Sequence, residues 1–131
     1  MSVVVDSSAL AAIVLREPEG ALYDQLLTHA ERAVISLVNV HETRLVLSRH
    51  WDQETARKLD RIMDAYELVR IPFDALQAEL AWESFHRFGK GRHHARLNLC
   101  DCAAYALAKS MNAPLLFKGD DFARTDVIAA I

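Results

Sequence analysis

The chain has 131 residues, 52% of them hydrophobic, enough for one packed domain and too few for two. Its 18 acidic residues outnumber 15 Lys and Arg, and a formal charge of −3 argues against indiscriminate, charge-driven binding to nucleic acid. Two cysteines cannot complete a thiolate zinc site, and the apolar run over 3–5 is cut by Asp6 with no basic flank. Neither a secretion signal nor a membrane span is therefore expected, and the location expected is cytoplasmic.

In chain order, Val-Val-Val over 3–5 predicts a short buried strand with Asp6 at its carboxyl end. Ser7 or Ser8 can cap a helix over 9–15. Pro18 suits the first turn of a second helix, with Leu22, Leu26 and Leu27 inward, ending near Glu31. A second strand over 33–36 leads into a helix from Ser36 to about Arg49, with Leu37, Val40, Leu45 and Leu47 as its apolar positions and Glu42 in its interior. Asp52 opens a further helix carrying Leu59, Ile62 and Met63 to about Tyr66. A third strand is expected over 68–71. Asp74 then caps an amphipathic helix holding Leu76, Leu80, Trp82 and Phe85, which gives way near Gly89.

The stretch over 97–122 reads as helix, turn, strand and acidic loop. Residues 102–111 are apolar nearly all round, so this helix has little exposed face. Asn98 can cap it, and Asp101 then falls in the first turn, where the helix dipole favours negative charge. Pro114 ends the helix, and 115–117 is long enough only for a buried strand before Gly119-Asp120-Asp121. Cys100 and Cys102, two apart on a helix, point in different directions and read as reduced packing residues.

Strands alternating with helices predict an α/β fold, a central, mainly parallel sheet flanked by helices. In such sheets ligands bind outside the carboxyl ends of the strands. Asp6 and Asp120 or Asp121 follow strands directly. Asp101 reaches the same edge if its helix starts above the sheet. Glu42 lies about six residues past its strand, roughly 9 Å up a helix axis. Carboxylates gathered there would repel and hold protons unless a hard divalent cation offset their charge. That arrangement suits hydrolysis of a phosphodiester. Each acid also has a plainer reading: Asp6 as a cap, Glu42 as a partner of Arg44 or Arg49, one loop acid as a turn former. His41-Glu42-Thr43-Arg44-Leu45 opens like a zinc-protease helix but lacks the second histidine, and is set aside.

The opening Val-Val-Val-Asp6-Ser-Ser-Ala-Leu, a glutamate after the second strand, Arg-Leu-Asn-Leu-Cys-Asp101-Cys-Ala-Ala-Tyr-Ala-Leu-Ala, and Leu-Leu-Phe-Lys-Gly-Asp-Asp121-Phe together resemble a PIN domain. More closely, the chain is similar to the VapC ribonuclease toxins of type II toxin-antitoxin pairs. The resemblance spans nearly the whole of 1–131 as one PIN domain, a three-layer sandwich. It implies a Mg²⁺-dependent endoribonuclease, with Mn²⁺ as a substitute, in which Asp6, Glu42, Asp101 and Asp121 match the acidic quartet that serves as metal ligands and catalytic groups. Ser7 matches the family's small hydroxyl residue, and Asp120 is the reserve for Asp121. A VapB-like antitoxin whose tail obstructs the site is implied as partner, with a homodimer or higher toxin-antitoxin assembly. Cys100 departs from the family, standing where relatives commonly have glycine.

From His86 to Arg96 the chain is basic, with Arg87, Lys90, Arg92, His93 and Arg96 and no acid. A phosphate chain held here would pass close to Asp101, so these are candidate RNA contacts. Two other classes compete: a noncatalytic interaction module on the same fold, and a phosphoacceptor receiver domain. The second needs an acceptor at the end of a central strand, and Asp74 fits that poorly.

Overall fold

The computed structural model describes residues 1–50 and 52–131. β1 (Ser2–Val5) is followed by α1 (Ser7–Val14) and α2 (Gly20–His29); β2 (Arg32–Ser36) by α3 (Leu37–Leu47) and α4 (Gln53–Ala65). β3 (Val69–Ile71) leads to α5 (Ala75–Phe88), then α6 (Leu99–Met111) and β4 (Leu115–Leu116). The four strands form one parallel sheet in the order β3-β2-β1-β4. Val4 pairs with both Val34 and Leu115, so β1 is central. β3 is an edge strand and Asp74 caps α5 through the Gln77 N–H, so the receiver-like placement of an acceptor is not met.

The sheet separates two apolar layers because strand side chains alternate between faces. Val3, Val5, Ile35 and Leu116 join Leu10, Leu27, Leu59 and Met63 on the side of α1, α2 and α4. Val4, Val34 and Leu115 meet Leu97, Tyr105 and Leu107 on the side of α5 and α6. The three β1 valines are wholly buried, as parallel strands covered on both faces must be.

Several expectations shift. α2 begins at Gly20, not at Pro18; a Cβ at Gly20 would stand 2.7 Å from the Ala12 carbonyl oxygen, so only glycine lets the helix start this close to α1. The inward stripe of α2 is Gly20, Tyr23 and Leu27, leaving Leu22 exposed. Leu37, Leu45, Leu76 and Trp82 are exposed as well, because α3 and α5 turn their small or polar residues inward: Asn39 and Thr43 on one, Gln77 and Ser84 on the other. Leu59 is buried in the core and is not available for an interface. β4 stops at Leu116, one residue short of the expected end. Among the described residues no helix is long and apolar enough to cross a membrane.

Candidate functional site

β1 ends at Val5, and the Asp6 N–H donates to the Leu116 carbonyl at 2.9 Å, fixing Asp6 at the carboxyl edge beside β4. Asp6 N-caps α1: its Oδ2 accepts the Ser8 N–H at 3.0 Å and the Ser8 hydroxyl at 2.6 Å. Cap and site residue are therefore one group, since only one of the two oxygens is used. The other, Oδ1, is buried with no hydrogen-bond partner among the described residues, in a side chain only 2% exposed. Burial pushes the Asp6 carboxyl up to about 7, against the opposing Ser8 hydrogen bonds and with added repulsion from Asp101 and Glu42.

Glu42 comes from α3, whose first turn is capped by Ser36 at the end of β2. α1 and α3 start side by side, so the Ser7 hydroxyl donates to Glu42 Oε1. Asn39, one turn earlier on the same face and wholly buried, donates from Nδ2 to Glu42 Oε1 at 3.2 Å and to the Cys100 carbonyl at 3.0 Å. Sequence reading missed Asn39; its position three residues before Glu42 was the available signal. Arg44 instead faces Asp60 at 3.9 Å.

Asp101 is the third residue of α6 in a reciprocal capping box: its N–H donates to Asn98 Oδ1 at 2.9 Å, and its Oδ2 accepts the Asn98 N–H at 3.0 Å. Burial raises its carboxyl to about 6; the Asn98 hydrogen bond opposes this, while Glu42 and Asp121 add to it. Asp121 is exposed at the cap of a short 3₁₀ turn, Phe122–Arg124, and it, rather than Asp120, is electrostatically coupled to Asp101. Its loop is tied down at Lys118. The Lys118 N–H donates to Ser8 Oγ at 3.0 Å, and its ammonium pairs with Glu17 and with Glu19 across to the α1–α2 turn. Ser8 thus links the loop to Asp6, a role the sequence did not suggest, and Lys118 does not compensate its neighbours Asp120 and Asp121.

Cys100 enters the cluster from the second position of α6, its thiol pushed up to about 11 by burial and, after it, by the negative charge of Glu42, Asp101 and Asp6. The Asp6, Glu42 and Asp101 carboxylates thus lie in one another's field at this edge, with Asp121 at its exposed rim, and the orphaned Asp6 oxygen with hard oxygen donors around it fits a divalent cation. Asp6 is held by Ser8, Glu42 by Ser7 and Asn39, and Asp101 by Asn98. In this arrangement no three His, Cys, Asp or Glu side chains among the described residues share a position that could hold an ion.

The basic stretch closes into a loop: the Leu97 N–H donates to the Phe88 carbonyl and the Lys90 N–H to the Leu97 carbonyl, both at 2.9 Å. Arg96 adopts a left-handed conformation, φ 58°, where the loop turns into α6. Arg87 pairs with Asp126 at 3.4 Å and lies over Phe88, so it is partly engaged. Arg92 lies over Phe85, and the His93 ring accepts the Ala95 N–H and stacks on His94. Lys90, Arg92 and Arg96 are exposed. Arg124, just past Asp121, donates to the His94 carbonyl at 3.1 Å, joining the basic loop to the acidic one.

The PIN domain family model matches residues 3–128. The chain is 39% identical over 126 residues to a protein named Ribonuclease VapC of Mycolicibacterium smegmatis, covering 96% of this chain and 98% of the relative. It is 36% identical over 124 residues to Ribonuclease VapC30 of Mycobacterium tuberculosis, with 95% of each covered. Among solved structures it superposes on Mycobacterium tuberculosis VapC20, a toxin described as cleaving the sarcin-ricin loop, with TM-score 0.77 at 19% identity and 96% of each chain covered. It superposes also on VapBC2 of Rickettsia felis, solved bound to a DNA fragment from its promoter, with TM-score 0.78 at 18% identity, covering 98% of this chain and 96% of that one.

Proposed function

Because the chain belongs to the PIN domain family, among its VapC ribonucleases, we propose that Asp6, Glu42, Asp101 and Asp121 form the centre with which it cleaves RNA. The protein is the toxin of a type II toxin-antitoxin pair, an endoribonuclease restrained by its antitoxin. The observation that carries the site assignment is Asp6: a carboxylate buried at the carboxyl edge of the central strand, with an orphaned oxygen and two further carboxylates in its field. An idle acid would not be retained there, since a buried charge without a counterion destabilises the fold.

Asp6 and Asp101 would hold a divalent cation, Mg²⁺ in preference with Mn²⁺ as substitute, and Glu42 and Asp121 would add to its ligands or orient a water beside it. Bound there, the cation supplies charge neutralisation at the phosphoryl oxygens and a lowered pKa for the attacking water. Ser7 and Asn39 fix Glu42 Oε1, so the glutamate is positioned before substrate arrives. Asn98 fixes one oxygen of Asp101 and directs the carboxylate from a rigid helix end. Lys90, Arg92 and Arg96, with weaker help from Arg87 and His93, guide the RNA backbone toward Asp101. The antitoxin, in this reading, covers the apolar trough between α5 and α6 lined by Phe73, Trp82, Phe85 and Leu99, beside the site. A toxin homodimer or larger assembly in the cytoplasm completes the picture.

The deciding experiment compares antitoxin-free wild type with Asp101→Asn on total cellular RNA in Mg²⁺, Mn²⁺ or EDTA, mapping fragment ends. Discrete cuts that need the cation and vanish in the variant are expected. Cuts that persist in Asp101→Asn or in EDTA would overturn the site assignment.

A further inference from the structure

The basic loop joins the carboxyl end of α5 to the amino end of α6, the two helices that wall the apolar trough. Phe85 and Leu99, which line the trough, flank that loop in sequence, and Arg92 reaches back from it to lie over the Phe85 ring, 5.8 Å from the centroid. Positive charge therefore stands on the rim of an apolar cleft. The cleft measures about 410 Å³, within the range of small-ligand pockets. On its α6 wall Leu99, Cys102 and Ala103 share one helix face, and Asp101 lies little more than a quarter turn round from Cys102. On its α5 wall Trp82 is 60% exposed, braced by the His86 ring at 4.5 Å between centroids. Trough, basic rim and acid site are thus contiguous.

We propose that the trough is a nucleobase subsite: it takes one unpaired base of the RNA by its face, while Arg92 holds an adjoining phosphate and the strand runs on to Asp101. The inference rests on the ribonuclease reading and names the form of its substrate. Among the lining side chains only the Trp82 indole N–H and the buried Cys102 thiol can hydrogen-bond, so the edges of a base go unread and its flat face is what packs. Stacking on an aromatic ring accepts any base, because every base has such a face. A base inside a duplex has both faces covered by its neighbours and cannot enter. The subsite therefore selects unpaired over paired RNA rather than one base over another. The antitoxin assigned to the same trough excludes RNA from it by direct competition.

The test uses the full chain, free of antitoxin and in an Asp101→Asn background chosen so that the RNA should stay intact. Its probes are end-labelled oligouridylate and a ribose-phosphate chain of the same length without bases, read by fluorescence anisotropy over a salt series. Oligouridylate should bind about tenfold tighter than the baseless chain, as one seated base requires. Trp82→Ala and Leu99→Ser should each shrink that difference to less than about threefold and leave the salt slope of either probe unchanged, because no phosphate contact is lost. Both residues are exposed, and circular dichroism melts check that both variants fold. Equal binding of the two probes before either substitution, or a difference that survives both, would overturn the base subsite, leave the trough to the antitoxin alone and leave the ribonuclease reading standing. Binding of neither probe would overturn both.

Discussion

Replacing Asp6 by asparagine should stabilise the metal-free protein at alkaline pH while abolishing cleavage. The Asp6 carboxyl is raised from 3.8 to about 7 in the fold, chiefly by burial. One pKa unit is about 1.4 kcal/mol. Keeping Asp6 ionised in the folded state therefore costs about 4 kcal/mol, with little discount for solvent because the side chain is buried. Between pH 3.8 and about 7 the native state binds more protons at Asp6 than the unfolded chain does, so stability falls as pH rises through that window and levels off above it. Asp101, raised to about 6, adds a slope of the same sign, weakened by its partial exposure. The figure is a ceiling for Asp6→Asn, since the amide nitrogen must find an acceptor at Glu42 or Asp101. Urea unfolding in EDTA at about pH 4, 6 and 8 measures it. Wild type should lose several kcal/mol across the series, and Asp6→Asn should lose much less. Mn²⁺ should restore wild-type stability and leave the variant unchanged, because only a ligand that binds the native state shifts the equilibrium. A wild-type stability that is flat or rises with pH, or an Asp6→Asn less stable than wild type at about pH 8, would refute the burial argument.

Replacing Lys90, Arg92 and Arg96 together by glutamine, in an Asp101→Asn background chosen so that the RNA should stay intact, should weaken RNA binding. The slope of log K against log salt should fall by about two, at roughly 0.7 per lost phosphate contact; filter binding over a salt series reads this, and an unchanged slope removes the loop from the RNA path. Ser8→Ala breaks the Lys118 N–H to Ser8 to Asp6 relay, so amide exchange at Lys118 and Gly119 should quicken and Ser8→Thr should restore it. Unchanged exchange would show that the Lys118 ion pairs with Glu17 and Glu19 hold the loop unaided. Asn39→Ala should cost about 1–3 kcal/mol of stability from the buried groups it leaves unpaired, and should lower kcat with KM little changed, because it releases Glu42 rather than the RNA. An effect on KM alone would place Asn39 outside the chemistry.

The sheet was legible because its physics is local. Val-Val-Val over 3–5 and the apolar run of α6 have no polar face to offer, so they must be buried, and the Asn98 cap follows from a side chain that bonds the helix N-terminus. The faces of α2, α3 and α5 were not legible in the same way. Gly20 sits against α1, and Asn39, Thr43, Gln77 and Ser84 are buried although they are polar. Thr43 bonds the Asn39 carbonyl and Gln77 the Pro72 carbonyl, tertiary satisfaction that hydrophobic periodicity cannot report. Trp82 and Leu99, 60% and 82% exposed, stay outside the core and line an apolar trough with Phe73 and Phe85 instead.

The acid site shows why a carboxylate can be a helix cap and a candidate ligand at once. A cap uses one oxygen of Asp6 for Ser8 and one of Asp101 for the Asn98 N–H, and a carboxylate has two. Single-residue reading sets these roles against each other, but the capped oxygen is what fixes the orientation of the other. Glu42 has no cap to hold it; Ser7 and Asn39, from α1 and from its own helix, do that work across the start of α3. The three carboxylates therefore stand on three separately anchored helices, Asp6 and Asp101 at their starts and Glu42 mid-helix, and their mutual repulsion is carried by the fold rather than relieved by it. Burial first, and that repulsion after it, raise Asp6 and Asp101 together, which gives a dication binding at this edge more to gain than at any solvated pair of acids on the surface.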